Sequence, residues 1–101
     1  MLYDSTKALL RQIVSTLETG NVAWDDQNEC GKQCLYEMHQ MARPLYKGYK
    51  TDAPGFKTAV LIPVFDKVTR AIPHAKSMVH AIRRNDQAAA LQSAKAALAE
   101  M

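Results

Sequence analysis

Residues 56–72 read FKTAVLIPVFDKVTRAI, and whether this run is helix or strand decides the fold class. Phe56, Val60, Val64, Val68 and Ile72 recur every four residues, and Leu61, Ile62 and Phe65 widen the same face. That spacing is helical, because residues four apart lie one above the other on a helix surface. The β-branched residues of 58–62 would also suit a strand. A lone strand has nothing to pair with, so the reading is helix. Pro63 lacks an N–H and is expected to kink this helix or divide it. Pro73 then stands at the favoured first position of the next one.

Toward the C-terminus, residues 74–84 turn Ala75, Met78, Val79 and Ile82 to one side and Lys76, His80, Arg83 and Arg84 largely to the other. Asn85 suits a turn, and Asp86 can cap a last helix, QAAALQSAKAALAE, whose Leu91, Ala94 and Leu98 form a narrow seam. Its alanines give strong intrinsic helicity and little bulk, so it can pack closely on its predecessor.

Toward the N-terminus, PLYKGYKTDAPGF over 44–56 reads as an aromatic, basic loop. Thr51 or Asp52 followed by Pro54 makes a start for the helix beyond it. Pro44 crowds the carbonyl of Gln40, which ends or kinks the preceding helix near 42. That helix should begin after NVAWDDQN, where Asp25, Asp26 or Asn28 can cap it and Trp24 plugs the core. A first helix over 5–18 has Asp4 or Ser5 as cap, Gly20 as terminator, and an apolar face of Leu9, Leu10, Ile13, Val14 and Leu17. The sum is an all-α single domain over 1–101, a bundle of four or five helices with short loops and a central helix kinked or broken near Pro63.

Composition agrees with a globular domain: 101 residues, 48% hydrophobic and 23% charged. No apolar stretch approaches the roughly 18 residues that cross a bilayer. The opening MLYDSTKALLRQIV is interrupted by Asp4 and Arg11 and lacks a signal-peptide pattern. The expectation is a cytoplasmic protein with no membrane span, its two cysteines free thiols.

The net charge of +3 is unevenly spread. Residues 1–42 carry three bases against six acids, 43–84 nine bases against two acids, and the tail one base against two acids. Lys47, Lys50, Lys57, Lys76, His80, Arg83 and Arg84 form a candidate surface for an anionic partner. Lys47, Tyr49, Lys50, Phe56 and Lys57 also interleave cations with aromatics, as single-stranded nucleic-acid sites do. The competing readings are internal complementarity, acidic segment beside basic, and a head-to-tail contact between copies.

One stretch, ECGKQCLYEMHQM over 29–41, resembles a soft-metal or redox site in composition. On a helix each residue turns ~100°. With Cys30 at zero, Met41 lies near ~20°, Cys34 near ~40° and Met38 near ~80°, while His39 lies near ~180° on the opposite side. The histidine cannot converge with the sulfurs, so the stripe reads as core or as the seam of a homodimer. Cys30 and Cys34 remain a candidate thiol pair for a thiol or Cu(I) sensor. Glu37, at the edge of the arc, should reach solvent or a basic neighbour.

Enzyme signatures are absent: the chain has no G-x-S-x-G, glycine-rich phosphate loop or H-E-x-x-H. PLYKG over 44–48 is similar to the Lys-Gly half of the H-x-x-K-G motif of histidine phosphotransfer domains, but Pro44 stands where the phosphorylated histidine would be. IRRNDQAAALQSAKAALAE is similar to the helical hairpin that closes such domains. Without the histidine, no phosphotransfer is expected. No catalytic residue, metal ligand or cofactor is expected either. The function expected is non-enzymatic binding of a protein partner, such as an immunity or inhibitor protein of bacterial or phage origin. The alternatives are a nucleic-acid-binding regulator using 43–84 and a sensor at Cys30 and Cys34.

Overall fold

Leu61 and Ile62 are helical, and the run they belong to continues as helix to Arg83. The computed structural model describes the backbone of residues 2–51 and 61–101 and the side chains of 2–42 and 64–101. The described residues form four helices: α1 over Leu2–Thr19, α2 over Trp24–Thr51, α3 over Leu61–Arg83 and α4 over Gln87–Glu100. Among the described residues there is no strand. No helix among the described residues is long and apolar enough to cross a membrane. Residues 52–60, which carry part of the helix-or-strand ambiguity and Lys57, lie outside the described residues, as do those leading into the expected break near Pro63.

Prolines end helices less often here than their chemistry predicts. Two helices were expected to meet at Pro73, yet α3 runs through it as one element. Pro73 deprives the Thr69 carbonyl of its usual donor. Both residues are exposed, so water can solvate that carbonyl. The buried residues Val68, Ala71, Ala75, Met78, Val79 and Ile82 hold the helix to the core on either side of the gap. In the same way α2 continues past Pro44 to Thr51, where a loop was expected. The carbonyl that Pro44 cannot serve belongs to Gln40, which is exposed.

The helix ends depart from expectation at two places and match it at two. α1 begins at Leu2, so Asp4 and Ser5 lie in its first turn, where the acidic Asp4 favours the helix dipole. α2 begins at Trp24, with the Gln27 N–H donating to the carbonyl of Ala23 at 3.0 Å. Ala23 is therefore the cap, and Asp25 and Asp26 are first-turn acids. Gly20 does end α1, in the left-handed conformation at φ 78°. At the other hairpin, Asn85 takes φ 57° just after α3. Asp86 N donates to Ala81 O at 2.9 Å and Asn85 N to Ile82 O at 3.0 Å, the paired bonds of a Schellman ending. The Asp86 side chain then caps α4, accepting from Ala89 N at 3.1 Å.

Each helix packs on its neighbours in chain order, and α1 closes the ring on α4. The sequence of directions is up-down-up-down. Thr6 meets Glu37 across α1 and α2, Gly31 lies against Val79 and Ile82 across α2 and α3, and Arg70 meets Glu100 across α3 and α4. Tyr3 Oη and Lys7 Nζ both donate to the main-chain oxygen of Met101, the lysine at 3.1 Å, which ties the start of α1 to the end of α4.

A single cluster of buried side chains runs through all four helices. Leu10, Ile13, Val14 and Leu17 come from α1, Cys34, Met38 and Met41 from α2, and Val68 to Ile82 from α3. Trp24 packs half-buried against this cluster. α4 contributes Ala90, Ala94 and Ala97, with Met101 buried just beyond it. Of the expected seam of Leu91, Ala94 and Leu98, Ala94 is buried while Leu91 and Leu98 are half-buried flanks; alanines form the close contact because a small side chain lets the helix axes approach. Gly31 serves the same purpose between α2 and α3. A Cβ there would lie 3.3 Å from Ile82 Cδ1 and 3.5 Å from Val79 Cγ2.

Candidate functional site

The sulfur stripe of α2 faces inward. Cys34 and Met38 are 0% exposed, Met41 is buried and Cys30 is half-buried against the same cluster. The dimer seam expected on this face is therefore not open to a second copy; its side chains fill the core of their own bundle. Both cysteines are free thiols. Burial pushes the Cys34 thiol up to about 12, with smaller contributions from the charges of Glu37 and Cys30. A thiol held protonated is a poor nucleophile and a poor soft-metal ligand, because the thiolate is the reactive form. Among the described residues, no group of three or more His, Cys, Asp or Glu side chains is placed to hold a metal ion.

Glu37 finds partners other than a base. Thr6 Oγ1 donates to its Oε1 at 2.6 Å and Gln33 Nε2 to its Oε2 at 2.8 Å. Two buried amide oxygens, Gln27 Oε1 and Asn28 Oδ1, have no hydrogen-bond partner among the described residues. They belong to adjacent helical residues ~100° apart, so they do not converge on one point.

The candidate basic surface is brought together in part. Lys76, His80 and Arg83 are all exposed and recur at i, i+4 and i+7 along α3. With Lys76 at zero they span ~60° of the helix surface, and Thr69 and Pro73, also exposed, continue the same strip. Arg84 sits in the turn beyond α3 and its Nε lies 3.6 Å from Asp86 Oδ2. Lys47 and Lys50 are on the last turns of α2, and Lys57 lies outside the described residues.

Comparison with protein-family models, curated proteins and solved structures finds no significant match to this chain. What the chain can do must be read from its own surface.

Electrostatics separates two of the readings of the basic segment. The ion pairs among the described residues are Lys32 with Glu29, Arg70 with Glu100, and Arg84 with Asp86. None of them joins an acid of 1–42 to a base of 43–84, so internal complementarity is not built from direct pairs there. Neither Lys76 nor Arg83 has an ion-pair partner among the described residues. One exposed aromatic was not singled out by the sequence. Tyr36 is 59% exposed, a large aromatic on the surface of α2. α2 and α3 are antiparallel with Gly31 at the level of Val79 and Ile82, so Tyr36 stands at the level of Lys76. With Cys30 at zero it lies near ~240°, opposite the sulfur stripe, which agrees with its exposure and turns it away from the α3 contact at Gly31.

Proposed function

We propose that this chain is a small, single-domain, non-enzymatic binding protein that acts through a protein partner. The observation that carries the reading is the division of labour on α3. One face is wholly buried in the shared core, and the other keeps Lys76, His80 and Arg83 exposed, with no ion pair to either lysine or arginine among the described residues. With its apolar helix faces used against one another, the bundle leaves such polar strips for contact with other molecules. The two free thiols, one deeply buried, fit a reducing cytoplasm. An immunity or inhibitor role, in a bacterium or phage, is the form of binding that asks least of the scaffold, since it needs a surface and no catalytic group.

Affinity capture from the native host with amine cross-linking and mass spectrometry tests this. One protein should be recovered in stoichiometric amount, with cross-links from Lys76. Recovery of nucleic acid alone, or turnover of a small molecule by the purified chain, would sink the reading.

A further inference from the structure

We infer that the exposed strip of α3 over residues 69–83 docks an acidic helix of the partner protein. The inference rests on the binding role proposed above and specifies where and by what chemistry the contact is made. Lys76, His80 and Arg83 span about 10 Å along the helix axis at 1.5 Å per residue. A partner helix with carboxylates at i, i+4 and i+7 repeats that spacing, so each basic group meets one acid. Arginine, here Arg83, is one of the residue types that most often anchor protein interfaces. Farther along, Pro73 leaves the Thr69 carbonyl without its helical donor, on the same exposed strip. It is an acceptor available to an amide or ammonium group of the partner.

Two other occupants fit less well. A nucleic acid would seek base-stacking aromatics among the cations. Thr69, Pro73, Lys76, His80 and Arg83 include no Phe, Tyr or Trp, and the imidazole of His80 is their one aromatic ring. Duplex DNA also presents one charge per ~1.7 Å, which calls for a longer run of bases than this strip holds. A second copy could offer the acidic start of α2. On the same i, i+4, i+7 template that helix presents Asp25, Glu29 and Lys32, and its third position is a cation, with Glu29 already 3.8 Å from Lys32.

The experiment uses the whole chain and a synthetic helical peptide with glutamates at i, i+4 and i+7. Its lysine counterpart and a single-stranded oligonucleotide are the comparison probes. The glutamate peptide should bind the native chain, and the lysine peptide should not. The K76E/R83E variant should lose at least tenfold in affinity for the glutamate peptide and gain affinity for the lysine peptide. The R11E/K95E variant changes the net charge equally, at two exposed positions away from the strip, and should change affinity less than twofold. Four results would overturn the inference: equal losses in both double variants, unchanged binding by K76E/R83E, oligonucleotide binding that K76E/R83E abolishes, or a concentration-dependent dimer that K76E/R83E dissociates. If K76E/R83E still captures the host protein that the native chain captures, the binding role stands and this surface fails.

Discussion

Cys34 shows how one residue's chemistry is set by its surroundings. On the helical arc it shares a stripe with Cys30, Met38 and Met41, and that much follows from spacing alone. Whether the stripe faces a metal, a second copy or the core depends on what α1, α3 and α4 place against it. They enclose it, and the thiol is held neutral. The consequence is a pH dependence of known sign. A thiol whose pKa is raised on folding contributes stability that is fully present below the unfolded value and lost as pH rises toward the folded one. Stability should therefore fall through this group between pH 9.0 and about 12. Comparing the native chain with Cys34→Ala isolates it from the tyrosines and lysines that titrate in the same range. The variant is less stable at neutral pH because of the space it leaves, and the gap should narrow as pH rises from neutral to strongly alkaline. A gap that stays constant would show that the thiol ionises as readily folded as unfolded. Glu37 teaches the complementary lesson. Its place at the edge of the arc was legible, but its partner Thr6 lies 31 residues away and only packing brings the two together.

Among the elements, α3 departs furthest from its sequence signals. Proline chemistry predicts a boundary at residue 73, and the helix ignores it because tertiary burial on both sides outweighs one missing hydrogen bond. The missing bond still has a cost. Pro73→Ala restores a donor to the Thr69 carbonyl and removes the ring's clash, so stability in urea should rise by about 1–3 kcal/mol. No gain would mean that the helix around residue 73 has adjusted its packing to the proline. The α3–α4 hairpin was the more readable element. Asn85 and Asp86 are residue types that suit a left-handed turn and a helix cap, and both take those roles. Local signals of this kind survive because the groups that satisfy them lie within five residues. The start of α2 shows the limit: Asp25, Asp26 and Asn28 were all candidate caps, and the helix begins ahead of all of them, at Trp24, which packs against the core.

At the level of the whole molecule, the stabilising contacts are apolar and shared. Leu10, Cys34, Met78 and Ala94 come from four different helices and belong to one buried cluster, so the described helices should unfold together. Circular dichroism and Trp24 fluorescence should report one coincident transition in urea; two separated midpoints would divide the chain into independent units. Each of the three described ion pairs keeps at least one side chain substantially exposed. Such pairs contribute little, so raising NaCl from about 0.05 to about 1 M should leave the stability nearly unchanged while weakening any contact made by the α3 strip. A large loss of stability with salt would instead point to pairing between the acidic and basic halves.

By itself the sequence determined that this protein is helical, where its apolar stripes run, and that its bases concentrate in residues 43–84, because each of these follows from residues within a few turns of one another. Only the tertiary structure decided that α3 passes through Pro73, that the sulfur stripe is core, that alanines line the inner face of α4, and that Lys76, His80 and Arg83 are exposed with no ion pair to the acidic segment among the described residues. These outcomes depend on which helices lie side by side. That is settled by the fit of distant side chains such as Gly31 with Ile82 and Tyr3 with Met101, for which no local pattern exists.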